Sequence, residues 1–101
     1  MILVISGTNR EGNHTHQVAA QVVNALQKHE SAPSVELIDL CELPASVFSS
    51  KIYAEKPEDF LPYIDLVLSS EGIIVVAPEY NGSMPGILKY FIDLLPFPEA
   101  F

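Results

Sequence analysis

Thr8, Arg10, Asn13 and Thr15 stand close together in the stretch Gly7-Thr-Asn-Arg-Glu-Gly-Asn-His-Thr-His16. Hydroxyl, guanidinium and carboxamide groups at that density are hydrogen-bond donors suited to an oxyanion. Arg10 is the only arginine in a chain of formal net charge -8. The stretch lies where the apolar run Ile2-Leu-Val-Ile5 gives way to a segment with helical spacing. A helix N-terminus there adds unpaired N–H groups and about half a positive charge, which suits a terminal phosphate. Gly7 offers a backbone conformation closed to other residues. The competing reading is a plain strand-to-helix turn with Asn13 or Thr15 as the N-cap. The nucleoside-triphosphate pattern G-x-x-x-x-G-K-[ST] and the dinucleotide pattern G-x-G-x-x-G are both absent, which leaves a side-chain-rich cradle for a monophosphate. His14 and His16 have no acidic or thiol partner at ligand spacing, so no metal site is assigned.

A second unusual stretch is Pro78-Glu-Tyr-Asn-Gly-Ser-Met-Pro-Gly86. Tyr80 is an aromatic among polar neighbours, Gly82 lets backbone approach a flat ligand, and exposed N–H groups there can donate to a ring that becomes more electron-rich. Taken alone, the stretch reads equally well as a turn before a proline-started helix.

The elements that must position these stretches follow from periodicity. Ile2 to Ser6 is continuous rather than alternating, as in a buried parallel strand. Val18, Ala19, Val22, Val23 and Leu26 share one face of a helix, with Gln17, Gln21, Asn24 and Lys28 on the other. Ser31 to Ser34 breaks it, and Val35 to Leu40 reads as a second strand. Leu43 to Lys56 lacks a period and reads as an exposed connection with one helical turn. A second helix occupies part of Glu58 to Ser70, started late or kinked by Pro62 and ended by Gly72. Ile73 to Ala77 is a third buried strand. Pro85 opens a last helix, Gly86 to Leu95, which Pro96 and Pro98 stop. Strand and helix alternate as in a doubly wound α/β sheet, where ligands sit at the carboxyl ends of the strands. Both unusual stretches follow strands, so they are expected to share one sheet edge. Three strands are few for such a domain, so residues 1–101 read as its front part.

With 101 residues, 49% of them hydrophobic, the composition is that of one globular domain with a packed core. The acidic balance argues against nucleic acid and anionic membrane as partners. The one cysteine, Cys41, is expected to pack at a strand end, without a nearby cation to activate it. Met1 leads into a strand with no signal-peptide pattern, and no apolar run reaches the roughly 20 residues of a membrane span, so the expected compartment is the cytoplasm.

Together the two stretches resemble the NADPH-dependent FMN reductase family, which has a flavodoxin-like, three-layer α/β/α fold. The family pattern G-[ST]-x-R-x-x-S-x-N is matched by Gly7, Thr8 and Arg10, with Asn13 and Thr15 where serine and asparagine are usual. The pattern P-E-Y-N-x-S-x-P-G-x-L-K-N-x-x-D is matched by Pro78 to Asn81, Ser83, Pro85, Gly86, Leu88, Lys89 and Asp93. Tyr90 and Phe91 depart from it. The resemblance implies that residues 1–101 are the N-terminal part of a single FMN-binding domain, whose remainder supplies two more strands and a further loop beside the flavin. It implies that Thr8, Arg10, Asn13 and Thr15 hold the FMN phosphate, and that Pro78, Glu79, Tyr80, Asn81, Gly82 and Ser83 line the isoalloxazine ring. Hydride then passes from NAD(P)H to the flavin and on to a flavin, quinone or similar small-molecule acceptor. The flavin carries the chemistry, so no catalytic side chain is assigned. A homodimer or homotetramer is implied. The alternatives are a flavodoxin-type electron carrier and a non-enzymatic flavin-binding or oligomerisation module.

Overall fold

The computed structural model describes residues 1–101 except Glu30, Ala32, Phe97 and Phe101. The expected breaks at 31–34 and 96–98 each include one of these, Ala32 and Phe97, which lie outside the described residues. Three parallel strands, β1 (Ile2–Ser6), β2 (Val35–Asp39) and β3 (Gly72–Val76), form one sheet in the order β2-β1-β3. Helix α1 (Thr15–Gln27) follows β1, α2 (Leu61–Ser69) precedes β3, and α3 (Gly86–Asp93) follows it. The central position of β1 explains its unbroken apolar run, since Leu3, Val4 and Ile5 must be covered on both faces.

Leu3 and Ile5 face a cluster with Ile38, Phe60, Val67, Leu88, Phe91 and Leu94, contributed largely by α2, α3 and the segment before α2. Phe60 and Phe91 meet edge to face at 6.0 Å, a favourable aromatic geometry. Val4 points to the other face, where α1 packs on β1 and β2 through Ala19. The sequence expectation placed five residues of α1 inward, but only Ala19 is buried and Val18 is 47% exposed. Within residues 1–101 the main contacts of α1 are with β1 and β2, which leaves the flanks of its apolar stripe uncovered.

Several other expectations are corrected. Within residues 1–101 β3 pairs with β1 alone, and Ile73, Ile74 and Val75 are exposed rather than buried. The apolar run of β3 is that of a strand with neighbours on both sides, and residues 1–101 supply only one. The 43–56 connection holds two turns of 3-10 helix, Ala45–Phe48 and Ser50–Tyr53, which drive Val47 and Ile52 into the core. Gly72 does not end α2. Its last carbonyls are met by the hydroxyls of Ser69 and Ser70, bonding back to Asp65 and Val67, and Gly72 opens β3 opposite Ile2. Pro62 falls in the first turn of α2, where its missing N–H has no cost. The last helix stops at Asp93, short of Leu95, with Leu94 as its C-cap. Among the described residues no helix is long and apolar enough to cross a membrane.

Candidate functional site

β1 and β3 lie side by side, so the loops that leave their carboxyl ends emerge together at the switch point of the sheet. Gly7 N–H donates to the Val76 carbonyl at 2.8 Å, carrying the ladder one step past the strands. A Cβ at Gly7 would sit 3.2 Å from Ala77 Cβ and 3.3 Å from both Leu88 Cδ2 and the Val76 oxygen. Glycine is therefore favoured by close approach, since any side chain would make its neighbours give by a few tenths of an ångström. The expected left-handed conformation belongs instead to Gly12 and Gly82, with φ of 70° and 84°.

Thr8 is fully buried, and its hydroxyl shares a 2.9 Å hydrogen bond with the Tyr80 hydroxyl while accepting from the Arg10 N–H at 3.2 Å. It braces the two loops from beneath instead of facing the cleft. Tyr80→Phe removes that link and is expected to lower stability by about 1 kcal/mol. Denaturant unfolding of the complete gene product measures this, and an unchanged midpoint would show that the loops are not coupled through these hydroxyls.

Asn13 is committed within the first loop. Its Nδ2 donates to the Arg10 carbonyl at 2.7 Å and to Cys41 Sγ at 3.4 Å, and its Oδ1 accepts from His16 N–H at 2.9 Å. That last bond caps the first turn of α1, so Asn13 acts as the N-terminal cap through His16 even though α1 begins at Thr15. His16 turns away from His14, with Nδ1 3.1 Å from Asp39 Oδ2. Cys41 is exposed rather than packed. Desolvation, then the Asp39 carboxylate, pushes its thiol above the ordinary value, and the thiol donates to the Thr8 carbonyl at 3.3 Å.

In the second loop, Tyr80 and Ser83 exchange both backbone hydrogen bonds, at 2.8 and 3.1 Å. Asn81 and Gly82 between them both have positive φ, 53° and 84°, the geometry of a type I′ turn. Gly82 N–H donates to the Glu79 carboxylate. The expected set of free donors shrinks accordingly: of residues 80–83, only the Asn81 N–H lacks a partner among the described residues.

The loops enclose a cleft of about 320 Å³ lined by Arg10, Glu11, Gly12, Asn13, His14 and Thr15 on one side and Pro78 and Tyr80 on the other. Glu79, Asn81, Gly82 and Ser83 are exposed or lie beyond this lining in the hairpin. Glu11 and Gly12 were not singled out in the sequence, and His14 was weighed there only as a metal ligand. Gly12 carried a signal, being the turn former midway through the first loop. Arg10 is exposed and has no carboxylate within ion-pair distance among the described residues. The N–H groups of Gly12, Asn13, His14 and Thr15 have no partner among them either. A run of free N–H groups at a helix start, beside an unpaired guanidinium, fits a terminal phosphate.

The sequence matches the family described as NADPH-dependent FMN reductase over residues 1–101. It is 33% identical over 101 residues to an FMN-dependent NADH:quinone oxidoreductase of Mycoplasma genitalium, covering 92% of this chain and 49% of that one. It is 31% identical over 97 residues to a quinone reductase of Pseudomonas putida, covering 92% and 48%. The fold superposes on an NADH:FMN oxidoreductase crystal structure in its apo form with a TM-score of 0.79 at 24% identity, covering 94% of this chain and 49% of that one. The chain thus spans about half the length of the curated relatives it matches. With the β2-β1-β3 order and the paired loops at its switch point, the chain belongs to the NADPH-dependent FMN reductase family.

Proposed function

We propose that residues 1–101 are the N-terminal part of a single FMN-binding domain in an NAD(P)H-dependent reductase that passes two electrons to a flavin, quinone or similar small acceptor. The observation that carries this reading is the cleft at the β1/β3 switch point, with Arg10 and free N–H groups on one wall and Pro78 and Tyr80 on the other. FMN, when bound, supplies the hydride chemistry. Arg10 then donates charge-assisted hydrogen bonds to the phosphate, joined by the N–H groups of residues 12–15 and the Thr15 hydroxyl. Asn13 and Thr8 contribute by holding the loop in shape. Pro78 and Tyr80 wall the ring side, and the Thr8–Tyr80 link keeps the two walls together. Glu79, Asn81, Gly82 and Ser83 form the hairpin whose unpartnered Asn81 N–H would be available to the ring.

A quinone acceptor accords with the names of the Mycoplasma genitalium and Pseudomonas putida relatives. A homodimer or homotetramer, placed in the cytoplasm by this reading, accords in its assembly with the exposure of Phe48 and Tyr53, two large apolar side chains a partner could cover. No side chain at the cleft is needed as acid or base, and if donor and acceptor use one site in turn, the nicotinamide must leave before the acceptor enters. Initial rates of NAD(P)H oxidation by the complete gene product, taken at several quinone concentrations, are expected to give parallel double-reciprocal lines. Negligible NAD(P)H oxidation by protein that nevertheless binds FMN would overturn the reductase reading in favour of an electron carrier.

A further inference from the structure

Beneath the first loop, on the α1 side of the sheet, polar side chains form a closed ring that none of the cleft contacts explains. Asp39, the last residue of β2, accepts the Cys41 N–H at 2.9 Å through Oδ1, while its Oδ2 lies 3.1 Å from His16 Nδ1 in the first turn of α1. His16 N–H donates to Asn13 Oδ1 at 2.9 Å, and Asn13 Nδ2 donates to the Cys41 sulfur at 3.4 Å. The sulfur in turn donates to the Thr8 carbonyl at 3.3 Å. The Asp39 side chain is only 12% exposed. Ser6, its partner across the β1–β2 ladder, is fully buried with a hydroxyl that has no partner among the described residues. Asp39 therefore has no competing partner on the sheet, and each of its oxygens is committed to one arm of the loop.

We propose that Asp39 is a positioning residue for phosphate binding, fixing the start of α1 through His16 and the first loop through Cys41. This rests on the phosphate reading of the cleft given above. The carboxylate does not line the cleft, and it acts by setting where the free N–H groups and Arg10 point. Preorganised donors hold their geometry only when the groups behind them are themselves held. A flexible loop would still stack a flavin ring against Pro78 and Tyr80 but would lose the alignment its phosphate needs.

The test is the ratio of FMN to riboflavin affinity, measured by flavin fluorescence with the complete gene product, together with amide hydrogen exchange over residues 8–16 without flavin. Asp39→Ala is expected to lower the ratio about tenfold, the size of one lost charge-assisted hydrogen bond, and to speed exchange in the loop. Asp39→Asn keeps an acceptor for the Cys41 N–H but turns an amide donor toward His16, and is expected to give a ratio between those of Asp39→Ala and the unaltered protein, a graded response that general destabilisation would not produce. Should Asp39→Ala not fold, His16→Ala breaks the same link from the helix side and is expected to lower the ratio in the same sense. Preference for FMN in the unaltered protein with an unchanged ratio in these variants overturns the positioning role alone. Equal affinity of the unaltered protein for FMN and riboflavin removes the phosphate reading, and this inference with it.

Discussion

Replacing Arg10 with alanine is expected to weaken FMN binding by about 2 kcal/mol, roughly thirtyfold, while riboflavin binding changes by less than about twofold. Arg10 is the only arginine, and it stands exposed at the cleft without a carboxylate partner among the described residues. Its guanidinium would therefore meet a phosphate without first leaving an ion pair. The exposed Glu11 beside it in the cleft wall works against the same anion, which makes Arg10 more important. Lysine at position 10 keeps the charge but loses the planar fork, so Arg10→Lys is expected to fall between the two. Fluorescence titration with both flavins checks this. Equal losses for FMN and riboflavin would falsify the phosphate assignment.

The second large effect is expected at Gly7. Gly7→Val is predicted to cost about 3 kcal/mol in stability and to abolish stoichiometric flavin binding, the size expected for overpacking at a tight site. The three atoms a new Cβ would meet differ in how far they can yield. Leu88 Cδ2 is the end of a flexible side chain and can rotate. Ala77 Cβ is fixed to its backbone, and the Val76 oxygen cannot retreat without losing its 2.8 Å bond to Gly7 N–H. Alanine therefore strains the join modestly, and valine forces the first loop away from β3. Thermal unfolding of the two variants, in the complete gene product, measures the difference. A valine variant as stable as the parent and still saturable with FMN would show that the loops need not approach so closely.

Residue types and spacing alone determined a great deal here. The three strands, the three helices and their order followed from apolar runs and from turn formers, because those signals are local. The two loops were legible for the same reason: polar residues crowd immediately after apolar strands, and an Asn-Gly pair with both residues at positive φ makes the turn its sequence predicts. Arg10 was legible because it is the only arginine in a strongly acidic chain and stands in a strand-to-helix loop.

Tertiary structure decided what each of those side chains does. Thr8 was expected at the phosphate, but β1 is the central strand and carries Thr8 inward to Tyr80, a partner 72 residues away. Asn13 was expected as ligand or cap, and its cap and brace roles emerge only when β2 brings Cys41 beside it. Asp39 gave no sequence signal, since a carboxylate at a strand end becomes a hub only when α1 lays His16 against it. The exposure of Ile73, Ile74 and Val75 was not legible either, because an apolar run states what a strand can bury, and residues 1–101 supply β3 with one neighbour only. Local sequence sets backbone preference and side-chain chemistry. Partners across the sheet are set by register and by the β2-β1-β3 order, which no local pattern records.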